Sequence, residues 1–126
     1  MSIDVIIPEE NRKAYDTKHF APAVEHDGLV FCSGCVGNPE GSAEDEFRDA
    51  WRQVGHVLEA AGCGYDDIID TTIYLVDIQE NTGAMFKVKD EFVSEPYPAS
   101  TWIGTTGLVI PGARAEVKVT ARKKST

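Results

Sequence analysis

Two stretches limit the architecture of this chain more than any other feature. GLVFCSG at 28–34 and TTIYLVDI at 71–78 are apolar on both of their alternating side-chain sets. A strand that is apolar on both faces needs cover on both. The rest of the chain supplies helical patterns for only one such cover. We therefore expect copies of the chain to cover the other face, which makes the protein an oligomer.

The first helical pattern follows the turn residues Gly37, Asn38, Pro39 and Gly41. Ser42 followed by Asp45 resembles a capping box with Asp in place of the usual Glu, and Glu44 to Glu46 suit the positive end of a helix dipole. Phe47, Trp51, Val54, Leu58 and Ala61 recur at helical spacing as one apolar stripe, stopped by Gly62 and Gly64. A second helix is predicted over 82–93, with Met85, Phe86, Lys89, Phe92 and Val93 partly periodic, ended by Pro96 and Pro98. Strands are predicted at 3–7, 28–34, 67–78, 99–104 and 114–122, with a polar, irregular segment at 9–27. The last strand alternates cleanly: Ala115, Val117, Val119 and Ala121 inward, Arg114, Glu116, Lys118, Thr120 and Arg122 outward. The order β-β-α-β-α-β-β, without repeat or linker, makes residues 1–126 one α+β domain, a sheet with two helices on one face.

Composition narrows the partners. The net charge of -9 argues against a phosphate-backbone partner, which needs clustered Lys and Arg. The single basic cluster, Arg122 to Lys124, reads as a solvated tail. No apolar run approaches the roughly 18 residues of a membrane span. The start, MSIDVIIPEENRK, lacks the basic and apolar regions of a secretory leader, so a cytoplasmic location is expected.

Three cysteines, Cys32, Cys35 and Cys63, suggest reduced thiols. Cys32 and Cys35 have C-x-x-C spacing, yet no second pair or nearby histidine pair completes a metal set, and no cofactor is expected. Three residues apart, they face opposite sides of a regular strand. His19 and His26 lie in the irregular segment, which reads as surface exposure, and His56 lies off the apolar stripe of the first helix, which reads as a solvated or partly packed histidine.

LVFCSGCVGNPEG, VLEAAGCGYDDIIDTTIYLVDI, DEFVSEPYPAS and AEVKV together resemble the Rid family of reactive-intermediate (enamine/imine) deaminases, also called the YjgF or endoribonuclease L-PSP family. The resemblance spans roughly 20–122. It implies a chorismate-mutase-like fold with a mixed β-sheet, assembled as a homotrimer with clefts between subunits. It also implies hydrolysis of an enamine or imine to a 2-keto acid and ammonia. In the family an arginine within P-A-R-[ST] holds the substrate carboxylate, a last-strand glutamate positions water, and backbone near an S-G turn contributes. Ser33 and Gly34 match the turn, Pro98 and Ala99 match the motif, and Glu116 matches the glutamate.

The arginine position is Ser100, with Glu116 expected on the partner strand. A guanidinium offers a fixed two-pronged fork for a carboxylate, whereas serine offers one neutral hydroxyl. Losing one member of a desolvated charged pair costs about 2–5 kcal/mol, roughly 30-fold to several thousandfold in affinity.

Three readings follow. In the first, Glu116 orients a water, the backbone of Ser33, Gly34 and Cys35 polarises the reacting atom, and Ser100 and Thr101 bind a neutral or larger substrate against a wall of Trp102 or Phe86. In the second, the chain is a small-molecule-binding trimer without catalysis. In the third, Cys32 or Cys35 is a nucleophile. Against these stand plainer roles: Ser100 beginning a strand, Glu116 on a solvated charged face, Trp102 in packing or an interface.

Overall fold

A computed structural model describes residues 3–124 of the protein, so Met1 and Ser2 of the segment read for a leader lie outside it. Six strands form one sheet: β1 (Asp4–Ile6), β2 (Ala23–His26), β3 (Leu29–Cys32), β4 (Ile68–Val76), β5 (Ala99–Thr105) and β6 (Ala115–Arg122). Three helices join them: α1 (Arg12–Lys18), α2 (Ala43–Ala60) and α3 (Ile78–Lys89). The strand order is β1-β2-β3-β6-β4-β5. Every neighbouring pair is antiparallel except β4 and β5, which are parallel. A parallel pair cannot be joined by a tight turn, and α3 provides the required crossover.

The α+β class and the mixed sheet agree with expectation, as does the packing of the two long helices on one sheet face. Ser42 Oγ accepts from Asp45 N at 3.1 Å and caps α2, whose stripe of Phe47, Trp51, Val54 and Leu58 is almost wholly buried. Beneath it lie Ile73, Leu75, Val117, Val119 and Ala121. Trp51 stacks on Phe92 with ring centroids 6.2 Å apart.

Four expectations need correction. The segment 9–27 is not irregular, because it holds α1 and β2, raising the helix count to three. β2 is a hairpin partner of β3, turned by Asp27 and Gly28, both with positive φ (52° and 77°), the pattern that Asp-Gly favours in a two-residue β-turn. α3 begins at Ile78, earlier than 82, because Asp77 takes a left-handed conformation (φ 51°) that ends β4 and redirects the chain.

The cysteines do not face opposite sides. Regular pairing stops at Cys32, and the chain rejoins the sheet only through one bridge between Cys35 and Val117, with N–O distances of 2.8 and 2.9 Å. The break in alternation turns both side chains into the core.

Finally, the strand bearing Ser100 does not neighbour the strand bearing Glu116: β4 lies between them. Register puts Ser100 beside Thr71, which pairs with Val119, a buried position on the helix side. Glu116 pairs with Tyr74 and Tyr74 with Ile103, all on the opposite face. That second face carries Val5, Phe31 and Ile103, each about two-fifths exposed (42%, 41% and 41%), and no element of the described chain covers it.

Candidate functional site

At the end of β3 the chain is held by two short bonds to the segment before β2: Ser33 N donates to Pro22 O at 2.8 Å and Ser33 Oγ to Ala21 O at 2.6 Å. Cys35 N is committed to Val117 O. Of the three backbone donors at this turn, only Gly34 N–H has no protein acceptor among the described residues. Gly34 lies directly against the half-buried Glu116: a Cβ built there would fall 2.7 Å from the carboxyl carbon and 2.8 Å from Cγ of Glu116. Glycine is required for that approach.

Glu116, Gly34, Ser33 and Cys35 line one end of a cleft of about 520 Å³. Phe20, Pro22, Val109 and Ile110 add apolar lining, and Asn11, Lys18 and Gln53 add polar groups. The volume is that of a small-molecule site, and an apolar lining with few polar groups is the usual make-up of one. The loop before β6 is tied down by Glu46, a fully buried carboxylate on α2. Its Oε2 accepts from Arg114 N at 2.7 Å and its Oε1 from Arg114 Nη1 at 2.8 Å.

The thiols beside the cleft are poorly suited to attack. Burial pushes the Cys35 and Cys32 thiols up to about 12, with the neighbouring thiol adding to the effect, and Glu116 raises Cys35 further. A nucleophilic thiol needs the opposite shift. Among the described residues, no group of three or more His, Cys, Asp and Glu side chains is placed to hold a metal ion.

The remaining candidates lie apart from this cleft. Ser100 Oγ accepts from Trp102 Nε1 at 2.9 Å, and Trp102 meets Phe86 of α3 with centroids 6.2 Å apart and planes tilted by 48°. The Lys89 ammonium stands 5.3 Å from the centre of the Phe86 ring. Thr101 points to the other face of the same edge strand, in register with Thr72 and Lys118. Thus Ser33, Gly34, Cys35 and Glu116 come together, Ser100, Trp102 and Phe86 come together, and the chain alone does not join the two groups. Sequence reasoning missed Lys18, Gln53, Val109 and Ile110. They come from three separate segments, and no local pattern links them.

This fold and turn define a class. The endoribonuclease L-PSP family model matches residues 11–123, and the chain belongs to that family. It is 34% identical over 123 residues to the RutC family protein YjgH of Escherichia coli (strain K12), covering 93% of this chain and 92% of that one. A solved structure of a protein YjgH superposes with a TM-score of 0.88 at 32% identity over the full length of both chains. The mouse (Mus musculus) protein named 2-iminobutanoate/2-iminopropanoate deaminase is 26% identical over 109 residues, covering 81% of this chain and 79% of its own. Deaminase chemistry is thus present among the family's named members. No helix of the described residues is long and apolar enough to cross a membrane.

Proposed function

We propose that the protein hydrolyses a labile imine or enamine to a carbonyl compound and ammonia, with Glu116 as the proton-transferring group. The observation that carries this reading is the seating of the Glu116 carboxylate on Gly34 at the end of a small, largely apolar cleft. Glu116 takes a proton from water as the water oxygen bonds to the C=N carbon. Glu116 hands that proton to the carbinolamine nitrogen, the C–N bond breaks as the hydroxyl proton passes back to Glu116, and ammonia leaves as the carbonyl forms. An enamine enters the same path after protonation at carbon. Gly34 N–H is available to orient the substrate or the carbinolamine oxygen.

The working form in this reading is a homotrimer. Glu116 and Ser100 lie on opposite sheet faces separated by β4, so a site containing both requires two copies of the chain. The exposed apolar residues of the helix-free face give such an assembly something to bury. The proposed location is the cytoplasm, in keeping with three free thiols.

The test supplies the protein with imine generated in place by an amino-acid oxidase and follows ammonia and keto-acid release. Acceleration over buffer that Glu116→Gln removes is the expected result, and no acceleration across several side chains overturns it. Ser100 favours a second reading, a binding trimer without turnover, and the same experiment separates the two: ligand binding with no acceleration selects it.

A further inference from the structure

The cleft contains one carboxylate, Glu116, and one cation, Lys18. Lys18 closes α1, and its ammonium pairs with no carboxylate among the described residues, unlike Lys87, Lys89, Lys123 and Lys124. Ser100, where the resemblance expects the arginine, does not line this cleft, and its hydroxyl is engaged by the Trp102 indole. Phe20, Val57, Val109 and Ile110 add apolar surface to the lining of the same cleft. A cleft with a cation, a carboxylate and an apolar wall matches a molecule with an anionic end, a reacting carbon and an apolar side chain.

We propose that Lys18 is the anion anchor of this protein, holding the carboxylate of a 2-imino or 2-enamino acid at the α1 side of the cleft. The reacting carbon is then directed to the water on Glu116, and an apolar side chain lies against Phe20 and Ile110. The proposal rests on the hydrolytic reading and names its substrate class. An ammonium on a flexible stem lacks the planar fork of a guanidinium, so the grip is weaker and less strict about substrate size. Lys18 is an exposed residue of the cleft lining, so the interaction is also salt-sensitive.

Equilibrium binding tests the anchor without requiring turnover. The probe is 4-methyl-2-oxopentanoate, a 2-keto acid product of the proposed class, with its methyl ester as the neutral counterpart, measured by calorimetry on the full chain. Lys18→Gln is expected to weaken acid binding by roughly five- to thirtyfold, between the limits for exposed and desolvated charge pairs, and to leave the ester unchanged. Lys18→Arg should keep most of the acid affinity. Lys13→Gln, the same charge change on α1 but outside the cleft lining, should have no effect. In turnover the loss should fall on KM, with kcat changed less than about twofold, because the anchor acts in ground and transition states alike.

Equal acid binding by wild type and Lys18→Gln overturns the proposal. So does an equal loss for acid and ester, or no acid binding by the wild type at millimolar concentration. If the wild type binds the acid through Lys18 yet accelerates no imine hydrolysis, the hydrolytic reading fails and the anchor stands.

Discussion

The carboxylate of Glu116 rests against the α-carbon of Gly34, with no room for a β-carbon between them. This contact joins the turn after β3 to the last strand and places an acid at the end of the cleft.

Gly34→Ala should therefore impair function more than folding. The obstructing atoms are the far end of a flexible side chain, and Gly34 has no positive φ, so the backbone accepts alanine. In the hydrolytic reading proposed above, displacing the carboxylate removes general-base positioning, which is worth about 10²–10⁴-fold. We expect at least a tenfold fall in kcat with a melting temperature within a few degrees of wild type. A fully active Gly34→Ala enzyme would show that the contact is incidental.

The Arg114–Glu46 pair should carry stability. Glu46 is 0% exposed at its side chain and accepts two bonds from Arg114, so Arg114→Met leaves a buried carboxylate with only the backbone N–H as partner. The expected cost is about 3 kcal/mol, a fall of roughly 10 °C in melting temperature. Calorimetry checks it, and a change under about 2 °C would mean that Glu46 finds another donor or water.

Thiol reactivity should separate the cysteines. At pH 8 iodoacetamide should modify Cys63, which is half-buried, and spare Cys32 and Cys35, whose burial raises them from 9.0 to about 12 and cuts the thiolate fraction by about 10³. Mass mapping of the labelled protein reads this out directly.

The same shifts set an alkaline limit. The folded chain holds these two protons more tightly than the unfolded chain does. Their stabilising contribution is complete below pH 9.0 and is lost as pH rises toward about 12. The urea midpoint should fall with pH across that window, and less steeply in Cys32→Val. Identical slopes for the two proteins would rule out the Cys32 contribution.

Assembly is open to light scattering. Three copies of 13.8 kDa give about 41 kDa, and we expect that mass at micromolar concentration. Glu or Lys in place of Phe31, an exposed aromatic on the helix-free face, should shift it toward the monomer. A stable 13.8 kDa species in the wild type would remove the basis for a site shared between copies.

Several elements were legible in the sequence because their signal is local. The α2 stripe and its Ser42 cap follow from helical spacing, and the inward set of β6 follows from strict alternation. β2 went unread: its four residues carry too little alternation to stand out, and the Asp27–Gly28 turn signal was not enough to mark it. α1 has no buried residue among its seven, so it left no apolar stripe to read. The facing of Cys32 and Cys35 was misread because alternation predicts facing only while strand pairing continues, and here it stops at Cys32.

The sequence by itself determined the class of fold, the family, and the presence of serine where the family motif has arginine. These depend on residue identity, spacing and periodicity, which survive in a linear string. Only the tertiary structure decided which of those residues meet. Strand order is set by the α3 crossover and by the insertion of β6 between β3 and β4, both of which minimise exposed backbone and bury apolar faces over long sequence distances. That order put Glu116 on Gly34, separated it from Ser100, and brought Lys18 from a segment without a pattern into the same cleft.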